Sequence, residues 1–211
     1  MGKPPKKQGY HHGNLRRALM DAALELVAAL GPHGFTLREA ARKAGVSAGA
    51  PYKHFADKSA LMTAIAVEGM ELQTALMDAD MARATGPLEK FRAQGIAVVK
   101  FAIAHPTHFR VMTTPEFLDP AESPALLQAL EEADVTIQTI LTSAQETGEV
   151  LAADPRIISL AARALMYGLS RMFIDGMLST EGIDMDRAEA VAHAVTEVLG
   201  RGLVRRDDNS S

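Results

Sequence analysis

The chain has no cysteine and no tryptophan among its 211 residues, and aromatic side chains make up only 5% of it. Without thiols it forms neither disulfides nor thiolate metal centres. No apolar run approaches the roughly 18 to 20 uncharged residues that cross a bilayer. The basic stretch Lys3-Pro4-Pro5-Lys6-Lys7 is not followed by a hydrophobic segment of signal-peptide type. No segment alternates with strand period, and no internal repeat is found. Gly13, Gly31 and Gly34 do not compose a phosphate loop, no serine stands in a nucleophile elbow, and the carboxylates are scattered. These absences leave a chain read as all-helical, without cofactor, metal or catalytic site, and expected in the cytoplasm.

What is present is apolar material and an uneven charge. Hydrophobic residues are 47% of the chain, enough to bury a proper core. The net charge of −4 hides a division. Residues 1–58 carry ten Lys or Arg against four Asp or Glu, a net +6, and the rest carry 12 against 22, a net −10. One end is suited to phosphate, and the acidic remainder should repel it.

Within the basic end, Thr36 and Glu39 are spaced as a capping box that opens a helix over Leu37, Ala40, Ala41 and Ala44. Gly45 supplies the left-handed residue that stops it, and Val46 plugs the turn. Arg42 and Lys43 suit the helix's negative end and so are not automatically ligand contacts. Ser47 is read as the cap of a second helix running to about Phe55. Ala48, Gly49 and Ala50 leave its leading turn almost bare, which permits close approach to base edges, and Pro51 fits either as an early helical residue or as the first residue of a helix starting slightly later. Tyr52, Lys53 and His54 then put polar tips outward while Phe55 anchors the segment. An earlier helix capped by Asn14 carries the stripe Leu15, Leu19, Ala22, Leu26 and Leu30 and ends at Gly31-Pro32-His33-Gly34.

These features, with Tyr52 to Phe55 and Asp57-Lys58-Ser59-Ala60-Leu61, make the first 60 or so residues resemble the DNA-binding domain of TetR-family transcriptional regulators. His11-His12-Gly13-Asn14-Leu15-Arg16 and Ala50-Pro51-Tyr52 also resemble the branch named for a C-terminal Trp-His-Gly motif. The corresponding place here reads Met166-Tyr167-Gly168, so two of three letters depart. The resemblance implies a homodimer that reads a palindromic operator, is released by a small molecule and acts as a repressor. It places Tyr52, His54 and Lys58 where such proteins grip the phosphate backbone. Arg38 and Lys53 are candidates for base edges because long donors reach guanine acceptors. Thr36 and Ser47, at helix starts, offer amides and hydroxyls to phosphate. The alternatives are that Arg38 is only solvated and that His54 is held by local hydrogen bonds. Lys3, Lys6 and Lys7 form a basic arm that could track phosphate or simply be solvated.

Beyond residue 58 every segment reads as helix. Asp57 caps one that ends before Gly86-Pro87, and others span Pro87 to Ala104, Pro106 to Met112, Pro124 to about Thr147, Pro155 to about Leu178, and Asp186 to about Gly202. The expected division is a DNA-binding domain at 1–58, an effector-binding and dimerisation domain at 59–204, and a disordered tail at 205–211. Apolar faces on the last two helices (Ile157, Leu160, Ala161, Ala164, Leu165, Gly168, Leu169 and Met172, then Ala188, Val191, Val195 and Leu199) could close a four-helix bundle between two subunits. Alternatively they only cover the chain's own core. Effector-pocket candidates are Phe101, His105, Phe109, Met112, Phe117, Met166, Tyr167 and Met172, a set suited to an apolar or amphipathic ligand. Ordinary core packing is the competing reading for each. His105 and His108, with Glu116 or Asp119, hint at a metal, but His105 precedes Pro106 and should end a helix, so the pair need not share a face. His11 and His12 are adjacent and diverge. The other reading of the whole chain is a helical small-molecule-binding or interaction protein that acts through a protein partner.

Overall fold

The computed structural model of the protein describes residues 15–203. The Asn14 cap, the arm with Lys3, Lys6, Lys7, His11 and His12, and the tail at 205–211 lie outside the described residues. The chain folds into α1 (Leu15–Leu30), α2 (Leu37–Lys43), α3 (Lys58–Met81), α4 (Pro87–Ala104), α5 (Pro106–Met112), α6 (Pro124–Glu146), α7 (Pro155–Ile174) and α8 (Ala188–Leu203). No strand occurs among the described residues, so the fold is all-helical as expected.

Local chemistry sets most of the boundaries. Pro87, Pro106, Pro124 and Pro155 each occupy a first helical turn, where a missing N–H removes no helical bond. The Asp57 carboxylate accepts the Ala60 amide at 2.8 Å and starts α3. At the other end of the chain α7 stops at Ile174, short of the expected Leu178, because Gly176 turns the backbone left-handed.

The first core gathers Leu15, Leu19, Ala23 and Val27 of α1, Leu37, Ala40 and Ala41 of α2, Phe35, Phe55, and Leu61, Met62, Ile65 and Ala66 of α3. The α1 stripe therefore runs through Ala23 and Val27, while Leu26 is half-buried and Leu30 exposed. Leu30 ends its helix, past the reach of the neighbours that form this core. A second region of packing joins Leu72 and Leu76 of α3 to Phe101 of α4, Phe109 of α5 and Ile174 of α7. The 24-residue α3, about 36 Å long, thus enters both regions. Its far end is tied to α4 by Lys100 Nζ donating to Asp80 Oδ2 at 2.8 Å.

Helix α7 is long and apolar enough to cross a bilayer by length and composition. It carries Arg163 midway, and Ile158, Ala162, Met166, Leu169 and Phe173 are buried against the rest of the chain. Ile157, Leu160, Ala161, Ala164 and Leu165 remain exposed, with Ile157 62% accessible. The broad face expected on this helix is therefore split, with Leu169 buried and Met172 half-buried. On α8 the stripe Ala188, Val191, Val195 and Leu199 covers the chain's own core. Its outward apolar residues are Ala190, Ala194 and Val198, the last 73% accessible.

Candidate nucleic-acid interface and effector core

The capping box forms as its spacing requires. Glu39 N donates to Thr36 Oγ1 at 3.2 Å, and Thr36 N donates to Glu39 Oε2 at 2.8 Å. The Thr36 hydroxyl, which also donates to Glu39 Oε2 at 2.9 Å, and the Thr36 amide hold the Glu39 carboxyl below its ordinary pKa. These bonds also occupy the hydroxyl and amide through which Thr36 was to meet phosphate. Among the described residues, the Leu37 and Arg38 amides have no protein partner, so the anion-facing donors of α2 shift by one residue. Arg38 itself is exposed.

At the end of α2, Val46 N donates to Ala41 O at 3.0 Å and Gly45 N to Arg42 O at 3.1 Å, a Schellman closure around Gly45 at φ +72°. Lys43 is paired with Glu25 of α1 at 2.6 Å. The helix expected from Ser47 to Phe55 does not form as an α-helix. Ala48 and Gly49 make a turn, and Ala50–Lys53 is a short 3-10 helix. Pro51 has no N–H to give to Ser47, and the flanking bonds are Ala50 N to Ser47 O and His54 N to Pro51 O, both of i to i−3 type. No side-chain cap opens the 3-10 helix, so the Ser47 capping role is replaced by its carbonyl.

The exposure pattern is nonetheless the one a reading element needs. Pro51 and Phe55 are buried anchors, and between and before them Ser47, Ala48, Gly49, Tyr52, Lys53 and His54 all face outward, with Ala50 half-buried. Lys58 departs from this surface. Its ammonium donates to Phe35 O at 2.7 Å and lies 4.2 Å from the centre of the Phe35 ring and 4.8 Å from that of Phe117. Burial pulls its pKa below the usual ammonium value, with Glu39 opposing weakly. Lys58 is thus a structural latch rather than an outstretched phosphate grip.

Phe117 also leaves the place expected of it. It follows α5 in the 3-10 turn Pro115–Phe117 and packs on the first core, its ring tilted against that of His33 at 4.9 Å. Its carbonyl accepts from Ser59 Oγ at 2.9 Å and Thr63 Oγ1 at 3.0 Å. The other pocket candidates fall into two adjoining groups. Phe101, Phe109 and Met112 share one, with the His105 ring tilted against Phe101 at 5.2 Å and the Tyr167 ring tilted against Phe109 at 5.6 Å. Met166 and Met172 belong to the other, and Val98 touches both. Between α4, α7 and α8 a cavity of about 10 Å³, the room of one water, is lined by Phe91, Gly95, Met166 and Thr196 among others. Of the eight candidates only Met166 borders it.

Burial pushes the His105 imidazole below its ordinary pKa, and His108, 5.8 Å away ring to ring, adds to this. Among the described residues no three His, Asp or Glu side chains gather as a metal site. His108 Nε2 instead lies 3.1 Å from Glu68 Oε1, and Glu68 Oε2 takes Arg17 Nη1 at 2.6 Å. Glu68 so joins α1, α3 and α5, a link that sequence spacing did not reveal. Gln94 was also passed over, although a polar residue on the α4 stripe of Phe91, Val98 and Phe101 is a visible irregularity. It is 7% exposed, and its Oε1 is the one buried side-chain oxygen without a partner among the described residues.

A family model described as bacterial regulatory proteins, tetR family, matches residues 19–65, and one described as tetracyclin repressor-like, C-terminal domain, matches residues 91–198. Among solved structures, a protein with unknown function from Rhodococcus sp. RHA1 is 33% identical, with a TM-score of 0.76 over 94% of this chain and 100% of that one. The TetR family transcriptional regulator PfmR from Thermus thermophilus is 21% identical, with a TM-score of 0.71 over 89% and 96%. The transcriptional regulator FadR from Bacillus subtilis, solved in complex with stearoyl-CoA, is 19% identical, with a TM-score of 0.70 over 89% and 98%. Those last two likenesses bear on fold alone. No curated protein matches the chain in sequence.

Proposed function

The chain belongs to the TetR family, whose members are DNA-binding regulators of transcription rather than enzymes, and on that premise we propose that it is a ligand-responsive repressor. Two subunits bind one palindromic operator, each presenting the segment from Ser47 to His54 to a major groove. A small apolar or amphipathic molecule, bound more tightly by the state that does not fit DNA, releases it. The site of action is the cytoplasm.

The observation that carries this reading is the outward display of Ser47, Ala48, Gly49, Tyr52, Lys53 and His54 above the buried anchors Pro51 and Phe55, on the positively charged end of the chain. Lys53 and Arg38 reach for base edges, and Tyr52, His54 and the amides at the start of α2 meet phosphate. Exposed apolar residues on α7 and α8 support pairing of two copies there. The apolar packing around Phe101 and Phe109 supports an apolar effector. The stearoyl-CoA in the FadR structure of like fold, an acyl chain on a charged carrier, is an example of an amphipathic ligand.

Binding of the purified protein to the DNA upstream of its own gene, compared at fixed salt with random DNA of equal length, tests the proposal. A preference of about a hundredfold or more is expected. Equal weak binding to both would instead leave two readings, an operator elsewhere in the genome or regulation through a protein partner.

A further inference from the structure

Buried side-chain oxygens without hydrogen bonds are few in folded proteins, and each one calls for a cause. Of the buried polar side chains, Thr63 donates to Phe117 O, Ser170 to Met166 O and Thr196 to Ala192 O, while His108 is engaged by Glu68. Gln94 Oε1 alone is left buried and unpaired among the described residues. By helical spacing it shares a face of α4 with Phe91, Val98 and Phe101, three residues held in the apolar packing of the C-terminal region. Helix α6 packs across both α3 and α4. Its inner stripe is buried at Leu126, Leu141 and Ala144 and half-buried at Ala129, Ile137 and Ile140, while at its middle Leu130 is 45% exposed and Ala133 is exposed. The interior behind α4 therefore has a lightly covered side.

We propose that the Gln94 carboxamide is the polar anchor of the effector site, and that the effector is a mainly apolar molecule bearing one uncharged hydrogen-bond donor, a hydroxyl or an amide N–H. This rests on the reading of the protein as a ligand-responsive regulator and specifies the chemistry that the site accepts. A donor brought to Oε1 gives up its bond to water but satisfies an oxygen that otherwise has none, so no bond is broken on the protein side. An ionised effector group finds no fully buried counter-charge: the buried polar set of Thr63, Gln94, His108, Ser159, Ser170 and Thr196 contains no Lys, Arg, Asp or Glu. Arg92, two residues away, lies against α8 near Gly200.

The test uses the full chain, 1-decanol and its methyl ether 1-methoxydecane, which share a tail and differ in the donor. Calorimetric titration should give the alcohol about tenfold tighter binding than the ether in wild type. In Gln94→Met, an apolar side chain of similar length, that preference should vanish. The ligand-free variant should also melt about 2 to 4 °C higher, since the unpaired oxygen is gone. Equal affinity for the two probes, binding of neither, or a preference that survives in Gln94→Met would overturn the proposal. So would a lower melting midpoint for the variant, which would show the amide already paired. The regulator reading fails separately, through absent operator preference in wild type, because selectivity between the probes involves no DNA.

Discussion

Lys58 and His105 are weakened bases for the same reason, partial burial, and the consequence differs because only one titrates near neutral pH. His105 has a folded pKa below its unfolded value, so the fold favours neutral imidazole. Its contribution to stability is complete above about pH 6.5 and is lost as pH falls through that value toward the folded pKa. The melting midpoint should therefore drop between pH 7.5 and 5.5, and by less in His105→Phe, which keeps the aromatic contact with Phe101. The same drop in both proteins would remove His105 as the cause. For Lys58 the expected loss is structural. Lys58→Met leaves Phe35 O without its donor and should destabilise folding by about 1 to 3 kcal/mol in denaturant titrations, while the ratio of specific to random DNA binding stays unchanged. Tyr52→Phe makes the opposite case. Tyr52 is exposed, with no hydrogen-bond partner among the described residues, so the change should weaken specific and random DNA binding alike and leave the midpoint in place.

At the scale of elements, what could be read in advance was whatever neighbouring residues decide between themselves. The Thr36–Glu39 box, the left-handed Gly45, the Asp57 cap and the prolines that open α4 to α7 each act within a few residues, and each appears where its spacing put it. Gly45→Ala should cost about 1 to 2 kcal/mol, all of it from φ, because a Cβ there meets nothing within 4 Å. Unfolding in urea measures this, and a neutral outcome would mean that the turn relaxes. Between Ser47 and Phe55 a 3-10 turn replaces the expected α-helix: apolar spacing does not separate the two, and Pro51 decides the matter by withholding an amide. Phe117 was misplaced for a different reason. Its partners His33, Lys58 and Thr63 lie more than fifty residues earlier, and no local pattern announces that a turn following α5 will seal the first core.

For the whole molecule the same limit governs association. Composition showed that α7 and α8 are rich in small and apolar residues, but only packing tells which of them the chain keeps for itself. Val191, Val195 and Leu199 turn inward, and Ile157, Leu160 and Val198 do not. Ile157→Glu combined with Leu160→Glu should shift the protein to a monomer in sedimentation and abolish operator preference while preserving helix content. A double variant that still sediments as a dimer would move the interface elsewhere. The continuity of α3 has a calorimetric consequence. Leu61 and Ile65 sit in one core, Leu72 and Leu76 in the other, and no loop interrupts the helix between them. Loosening either core strips support from a rod that the other also needs, so heating the isolated chain should give one endotherm whose van't Hoff and calorimetric enthalpies agree.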